Sequence, residues 1–454
     1  MYVTGISLSN VRGFTGARAV NEIALPSKDG GSWTVIAGRN GSGKSTLLRA
    51  LALTLAGPQV ARTLMQDFSG WITSGRAAAS TRVQVRPNYS VDKLTGRGRA
   101  PDVPILLGLD WAVPEDAPSW SPYSTPRQPK LSPHNTIEGW ESAARGPWAD
   151  QPQGWFCAGY GPFRRLTGGS GEAQRLMLAP GPAGRMASLF HEDASLSEGV
   201  NWLKELHLRA LEEQAQASEL LQTVLALLSD GLLPDGYKAM RVSSEGLWIS
   251  PAGESERAYP LSEMSDGFRT VASLVLDVVR QLQNAYGALN VYTGDKGQTV
   301  VQMPGVVIID EVDAHLHVTW QRRLGEWLRT HFPQVQFIVT THSPYICQAA
   351  DPGGLIRLPG PEEKSPPEVV DDALYHRIVY GSAEDAVLSE LFGLESPYSS
   401  RAEEQRRNLV RLERKVLAGE ATDQEAFEYR DLAAELRSSR SARVREVAAR
   451  LDDD

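Results

Sequence analysis

The chain has 454 residues, 41% of them hydrophobic, a formal net charge of −9 and two cysteines. Such a chain can bury about two or three domains' worth of core. Cys157 and Cys347 lie far apart without a metal-ligand pattern, which excludes a disulfide framework or zinc site and points to a reducing cytoplasm. No apolar run reaches the length of about eighteen residues that a membrane span needs, and the N-terminus lacks the basic-then-apolar layout of a secretory signal, so a soluble, cytoplasmic protein is expected. The acidic balance argues against coating of nucleic acid by the whole chain, although a local basic stripe is compatible with it.

The run WTVIA, Trp33 to Ala37, predicts a strand, and GRNGSGKST, Gly38 to Thr46, follows it directly. Gly38, four residues and then Gly43-Lys44-Ser45 is the spacing of a phosphate-binding loop. Glycines 38, 41 and 43 let the backbone curl with its N–H groups inward, forming an anion-binding concavity that ends at a helix N-terminus. Lys44 is a point charge suited to the β- and γ-phosphates, and Ser45 offers a hydroxyl to the accompanying Mg²⁺. Gly38, Asn40, Gly41, Ser42, Gly43, Lys44, Ser45 and Thr46 are therefore the nucleotide-binding candidates, with ATP and Mg²⁺ as the implied ligand and ion. The helical spacing of TLLRALALTLAG predicts a helix that stops at Gly57.

Residues 88–150 are rich in Pro, Ser, Gly and Trp without a sustained period, and read as an irregular insertion. GWFCAGYGPFRRL returns to strand character and carries Arg164 and Arg165 at its end. Helical spacing resumes after Leu196, where Leu203, Leu206, Leu211, Leu220, Val224, Leu227 and Leu228 can form one apolar stripe on two short helices. At about 1.5 Å per residue these span tens of ångströms at most, too short for an arm that encircles DNA.

In GVVIIDEVDAHLH, Val306 to Ile309 reads as a buried parallel strand with Asp310-Glu311 at its C-terminal end. Ligands bind at that edge of α/β sheets. Asp310 can join Ser45 as a metal ligand, and Glu311 can polarise a water towards the γ-phosphate. A second strand, Val335 to Val339, delivers Thr340, Thr341 and His342 to the same edge, with His342 the second catalytic candidate. After Pro359, PGPEEKSPPEVVDD reads as a linker to charged helices with a leucine seam of Leu409, Leu412 and Leu417. Arg406, Arg407, Arg411 and Arg414 offer a DNA-binding stripe there, although the neighbouring acids favour a partner-docking tail.

The phosphate loop, the Asp-Glu strand, the DAHLH turn and the TTHSP switch together resemble the ABC-type ATPase heads of the RecF/SMC class. The resemblance implies an α/β P-loop head with a mixed sheet and a helical subdomain, pairing as a homodimer around ATP, in which a signature segment of one subunit completes the site of the other. YPLSEMSDGFRTVASLVLDVV occupies that place, and its Ser265-Asp266-Gly267 looks like the signature, with Asp266 and Phe268 departing from the LSGGQ form. Ser265 and Gly267 would open a helix over Phe268 to Val279 whose N–H groups meet anionic oxygens. ISLSNVRGF is similar to the opening strand of such heads, which implies that Arg12 approaches the nucleotide; the family's Q-loop glutamine stays open among Gln66, Gln151 and Gln153.

The resemblance covers Met1 to Pro87 and Ala258 to Pro359, and without long coiled coils between them the chain reads as a head-only ATPase. The expected organisation is an ATPase lobe (1–87), the insertion (88–150), a strand and helical-hairpin region (151–257), the signature, Asp-Glu strand and His switch (258–359), a linker (360–373) and a helical C-terminal region (374–454). The layout, including YGSAEDAVLSELFGLESPYSS, resembles the stand-alone ATPases that bacterial anti-phage systems such as Septu encode beside a separate nuclease. Apart from the tip LDDD, which follows no strand, no Asp-x-Asp pattern comes after His342, so a nuclease effector is expected on another polypeptide. The leading expectation is a Mg²⁺-dependent ATPase that controls such an effector. The alternatives are a DNA-repair or recombination ATPase that binds DNA directly and a non-hydrolysing ATP-gated scaffold; a transporter subunit fits the insertion and the charged tail poorly.

Overall fold

The computed structural model describes residues 1–26, 30–114, 128–134, 142–164, 170–233, 236–254, 257–394 and 396–436. An antiparallel sheet takes its strands from the N-terminal third: β1 (Tyr2–Ser9), β2 (Val20–Ala24), β4 (Ala78–Arg86), β5 (Ile105–Ala112) and β6 (Lys130–Pro133), in the order β2-β1-β4-β5-β6. The second sheet is built from β3 (Trp33–Ala37), β7 (Cys157–Tyr160), β13 (Gly305–Ile309), β14 (Val335–Thr341), β15 (Leu355–Arg357) and β16 (Glu368–Val369), in the order β16-β15-β3-β14-β13-β7. All its pairings are parallel except that of β16 at the edge. Every residue of β3, β7, β13 and β14 is buried, as apolar strands require when both faces of a parallel sheet are covered.

Period-two alternation divides these side chains between two cores. Val35, Val307, Ile309, Phe337 and Val339 join the core that includes α6 (Asp266–Tyr286) and α7 (Val318–His331). Ile36, Val306, Ile308 and Ile338 join α1 (Lys44–Leu64) and the antiparallel sheet in the other. The parallel sheet is therefore the rigid floor on whose C-terminal edge the predicted site residues stand.

The helical subdomain lies on the first side. It comprises α2 (Gly171–Met177), α3 (Pro182–Phe190), α4 (Ser197–Leu211) and α5 (Ala215–Ser229), a small sheet of β8 (Lys238–Ser243), β9 (Gly246–Ser250) and β10 (Tyr259–Pro260), and the hairpin β11 (Val291–Thr293) and β12 (Thr299–Val301). Leu203, Leu206, Val224, Leu227 and Leu228 of the expected stripe are buried here and Leu220 is half-buried, its neighbour Leu221 taking the buried place, whereas Leu211, at the last turn of α4, is 68% exposed and leaves the stripe.

Other expectations change as well. The chain does not leave helical form for good at Gly57: the phosphate-loop helix breaks there as expected, at φ 84° and ψ 167°, but a second helical segment with Pro58 in its first turn runs on to Leu64. Pro58 has no N–H to give the Thr54 carbonyl, four residues back, and the indole Nε1 of Trp148 donates to that carbonyl at 2.9 Å, satisfying a group the break leaves open. Nor is 88–150 wholly irregular, because β5 and β6 extend the antiparallel sheet. Ile105, Leu107, Leu109 and Trp111 point to one buried face, with the Trp111 ring tilted against that of Trp71 at 5.6 Å, a period hidden by the surrounding composition.

The chain forms two compact units, 1–393 and 394–454. The stretch read as a linker contributes β16, and α8 (Pro344–Cys347), α9 (Asp372–Val379) and α10 (Ala383–Val387) also belong to the first unit. The described part of the second unit is a hairpin of α11 (Ser400–Leu417) and α12 (Asp423–Glu435), the latter opened by a Thr422–Glu425 capping box. Leu412 is buried there, but Leu417, the final residue of α11, is 81% exposed, so the leucine seam is broken. Arg165 and the LDDD tip lie outside the described residues. Among the described residues no helix is long and apolar enough to cross a membrane.

Candidate nucleotide site

The phosphate loop connects β3 to α1. Gly43 has φ 103°, and a Cβ there would lie 2.7 Å from the Phe14 ring; a Cβ on Gly38 would lie 2.6 Å from the Leu358 carbonyl oxygen. Both glycines are thus required by space, and Gly43 also by its left-handed backbone. Arg18 donates to the carbonyls of Ser42 (3.2 Å), Pro359 (3.1 Å) and Gly360, bracing the loop from outside. Replacing Gly43 with alanine forces a backbone strain of about 1–3 kcal/mol that relaxes by moving the loop. An ATP analogue should then bind about tenfold more weakly or worse by calorimetric titration, while far-UV dichroism stays unchanged.

Lys44 is buried across the loop, its Nζ donating to the carbonyls of Gly38 at 2.9 Å and Arg39 at 3.2 Å. Burial holds its pKa below the usual lysine range, against the opposing pull of Asp310, Glu311 and Asp313. Ser45 and Thr46 follow in the first turn of α1, Asn40 is exposed at the loop tip, and the Ser42 hydroxyl is buried without a partner.

Asp310 and Glu311 leave the end of β13 beside Thr340 of β14. The Thr340 hydroxyl donates to the buried Asp310 carboxylate and accepts from the Glu311 N–H at 2.8 Å. Glu311 takes a left-handed φ of 46°. Its carboxyl pKa is raised, first by desolvation and then by Asp310 and Asp313, which makes it a stronger base than an ordinary glutamate. His342 follows β14 with its N–H 3.4 Å from Asp313 Oδ1; partial burial and the nearby Lys44 hold its pKa low. The tertiary structure thus brings Lys44, Asp310, Glu311 and His342 into one electrostatic neighbourhood.

Two residues outside the predicted set shape this turn. Asp313 also accepts from the Thr341 hydroxyl. Arg164, noticed in the sequence only as a basic end to a strand, is buried and donates to the carbonyls of Asp310, Glu311 and Val312. Desolvation lowers its pKa to about 10. Neither role follows from local spacing, because the partners come from distant strands.

Ser265 is the N-cap of α6, yet its exposed hydroxyl caps none of the helix's own N–H groups. Asp266 pairs with Arg269 one turn on. Phe268, the departure from LSGGQ, packs edge-on against Tyr237 and Trp320, each at 5.3 Å. A Cβ on Gly267 would come 3.0 Å from the His315 carbonyl oxygen, so the signature turn rests on the DAHLH turn of its own chain. Arg12, at φ 48° on the turn after β1, lies over the Trp71 ring at 5.2 Å; desolvation and the charge of Arg49 lower its pKa. The structure does not choose among Gln66, Gln151 and Gln153.

The donor set fits Mg²⁺-ATP. A curled backbone with a buried lysine suits a triphosphate, and the hard oxygens of Ser45 and Asp310 suit Mg²⁺.

Family models match two stretches: one described as "AAA domain" over residues 6–88, and one described as "AAA domain, putative AbiEii toxin, Type IV TA system" over residues 240–348. The chain is 33% identical over 112 residues to the "Retron Ec83 probable ATPase" of Escherichia coli, covering 25% of this chain and 19% of that one. It is 23% identical over 324 residues to the "Septu protein PtuA" of Bacillus mycoides, covering 71% of this chain and 36% of that one. The chain therefore spans only about a third or less of the length of these relatives. Among solved structures it is similar to an Smc head bound to the C-winged helix domain of ScpA, at TM-score 0.47 and 14% identity, covering 82% of this chain and 98% of that one. With the loop, the Asp-Glu strand and the parallel floor in place, the chain has the layout of an α/β P-loop ATPase head, matches AAA-domain models over two stretches, and is similar to Septu protein PtuA and to a retron probable ATPase.

Proposed function

We propose that the chain is a Mg²⁺-dependent ATPase whose heads pair around ATP and so control a separate nuclease effector in anti-phage defence. The observation that carries this reading is the convergence of Lys44, Asp310, Glu311 and His342 at one sheet edge, together with a signature helix whose N-cap hydroxyl is exposed and unused. Mg²⁺ held by Ser45 and Asp310 would supply charge neutralisation at the phosphates. Lys44 leaves its carbonyl partners for the β- and γ-phosphates. Glu311 holds the attacking water and takes its proton, a role to which its raised pKa is suited. His342 orients the same water or the γ-phosphate. Ser265 and the N–H groups opening α6 serve the γ-phosphate of a second subunit. The nuclease and defence assignments draw on the similarity to Septu PtuA.

Glu311→Gln should retain Mg²⁺-ATP and hydrolyse it about a hundredfold more slowly. Light scattering of that variant should show a dimer with ATP and not with ADP, and adding Ser265→Arg should abolish the dimer by placing bulk and a displaced cation at the contact. An oligomer indifferent to both nucleotide and Ser265 removes head pairing from the proposal; hydrolysis at the normal rate removes Glu311. Direct DNA binding is the second reading, favoured by the exposure of Arg407, Arg411 and Arg414 on α11. It requires a salt-dependent shift of duplex DNA that weakens when these arginines are replaced.

A further inference from the structure

Four residues beyond the end of β7, Arg164 turns back into the core and is 2% exposed. Among the described residues its hydrogen bonds go to carbonyls and none to a carboxylate. Nη1 donates to Gly161 (3.0 Å) and Asp310 (3.1 Å), and Nη2 to Glu311 (3.1 Å) and Val312 (3.2 Å). Nε is buried and, among the described residues, has no partner. A cation buried away from direct ionic partners is expensive, so a fold that keeps one has placed it for its geometry.

That geometry is specific. The carbonyls of three consecutive residues converge on one planar fork, and the middle one is Glu311 at φ 46°. A non-glycine residue is disfavoured there, so the surroundings must hold it. From the other side the Glu311 N–H is tied to Thr340. The origin of the fork is itself anchored: the Tyr160 carbonyl accepts from the Asp310 N–H at 2.8 Å, and the Tyr160 hydroxyl donates to Asp277 of α6 at 3.0 Å.

We propose that Arg164 is a positioning residue for ATP hydrolysis: its guanidinium fork holds the Asp310–Val312 backbone in the left-handed turn that aims the Glu311 carboxylate at the water. The proposal rests on the reading of Glu311 as the group that holds that water. A lysine cannot replace the fork, since a single ammonium presents no planar pair of nitrogens to the carbonyls on both sides.

The test compares wild type, Glu311→Gln, Arg164→Lys, Arg164→Met and the double variant Arg164→Lys/Glu311→Gln. The lysine variant keeps the buried charge, and the methionine variant keeps the volume without it; should one fail to fold, the other carries the test. In nucleotide-free protein, hydrogen exchange over residues 310–314 should quicken about tenfold while α1 and β14 keep their wild-type rates. In steady-state kinetics kcat should fall about tenfold or more with KM within about twofold. The double variant should be no slower than Glu311→Gln alone, because Arg164 acts through Glu311. Exchange confined to wild-type rates, a loss carried by KM, or a double variant slowed by the product of both single effects overturns the proposal. Glu311→Gln at the wild-type rate overturns the reading of Glu311 and this proposal with it; a slow Glu311→Gln beside a fast Arg164→Lys overturns this proposal alone.

Discussion

Lys44→Ala should weaken the binding of a non-hydrolysable ATP analogue by a hundredfold or more and leave thermal stability near the wild-type value. Among the described residues the Lys44 ammonium donates to the carbonyls of Gly38 and Arg39. Those bonds can be exchanged for phosphate oxygens at little cost. Each charge-assisted bond contributes about 1.5–3 kcal/mol, so losing contact with two phosphates costs about 3–6 kcal/mol, or about two to four powers of ten in Kd. Stability should not follow. Desolvation lowers the folded-state pKa of Lys44, which means that folding disfavours its charged form at neutral pH, and removing the group relieves that cost. Calorimetric titration and a thermal melt check both halves. An unchanged Kd would remove this loop as the nucleotide site, and a large fall in melting temperature would mean that Lys44 is structural.

Asp277→Ala should destabilise the protein by about 3–5 kcal/mol, a large share of the roughly 5–15 kcal/mol that holds a typical domain folded. Asp277 is 1% exposed on α6 and accepts from Arg280 Nε at 3.0 Å, from Arg280 Nη2 at 2.6 Å and from the Tyr160 hydroxyl at 3.0 Å. Without it a buried guanidinium and a buried hydroxyl lose their shared acceptor, and breaking one side of a buried pair is far more damaging than the pair is stabilising. Asp266→Ala, on the same helix, removes the Arg269 pair from a side chain that is 70% exposed and should cost less than about 1 kcal/mol. Urea titrations of the two variants measure the contrast directly. A loss below about 1 kcal/mol for Asp277→Ala would mean that water replaces the carboxylate between α6 and β7.

By itself the sequence determined what contiguous residues encode. The spacing of Gly38, Gly43, Lys44 and Ser45 specifies a curled loop whatever surrounds it, and β-branched runs such as Val306 to Ile309 need cover on both faces, so the strand–loop–helix and the two strands bearing Asp310 and His342 were legible. Tertiary structure decided what depends on partners far away in the chain. Ile105 to Trp111 became a strand because Phe68 and Trp71 offer a face for Trp111, although the composition around it reads as loop. A second helical segment followed the break at Gly57, where Trp148, distant in the chain, supplies the Thr54 carbonyl with the donor that Pro58 lacks. Leu211 and Leu417 fell out of their stripes because each ends its helix, where the last turn has no neighbour to cover it. The hold of Arg164 on a turn 146 to 148 residues away has no local pattern at all, since a hydrogen bond to a carbonyl records nothing about the identity of the residue that carries it.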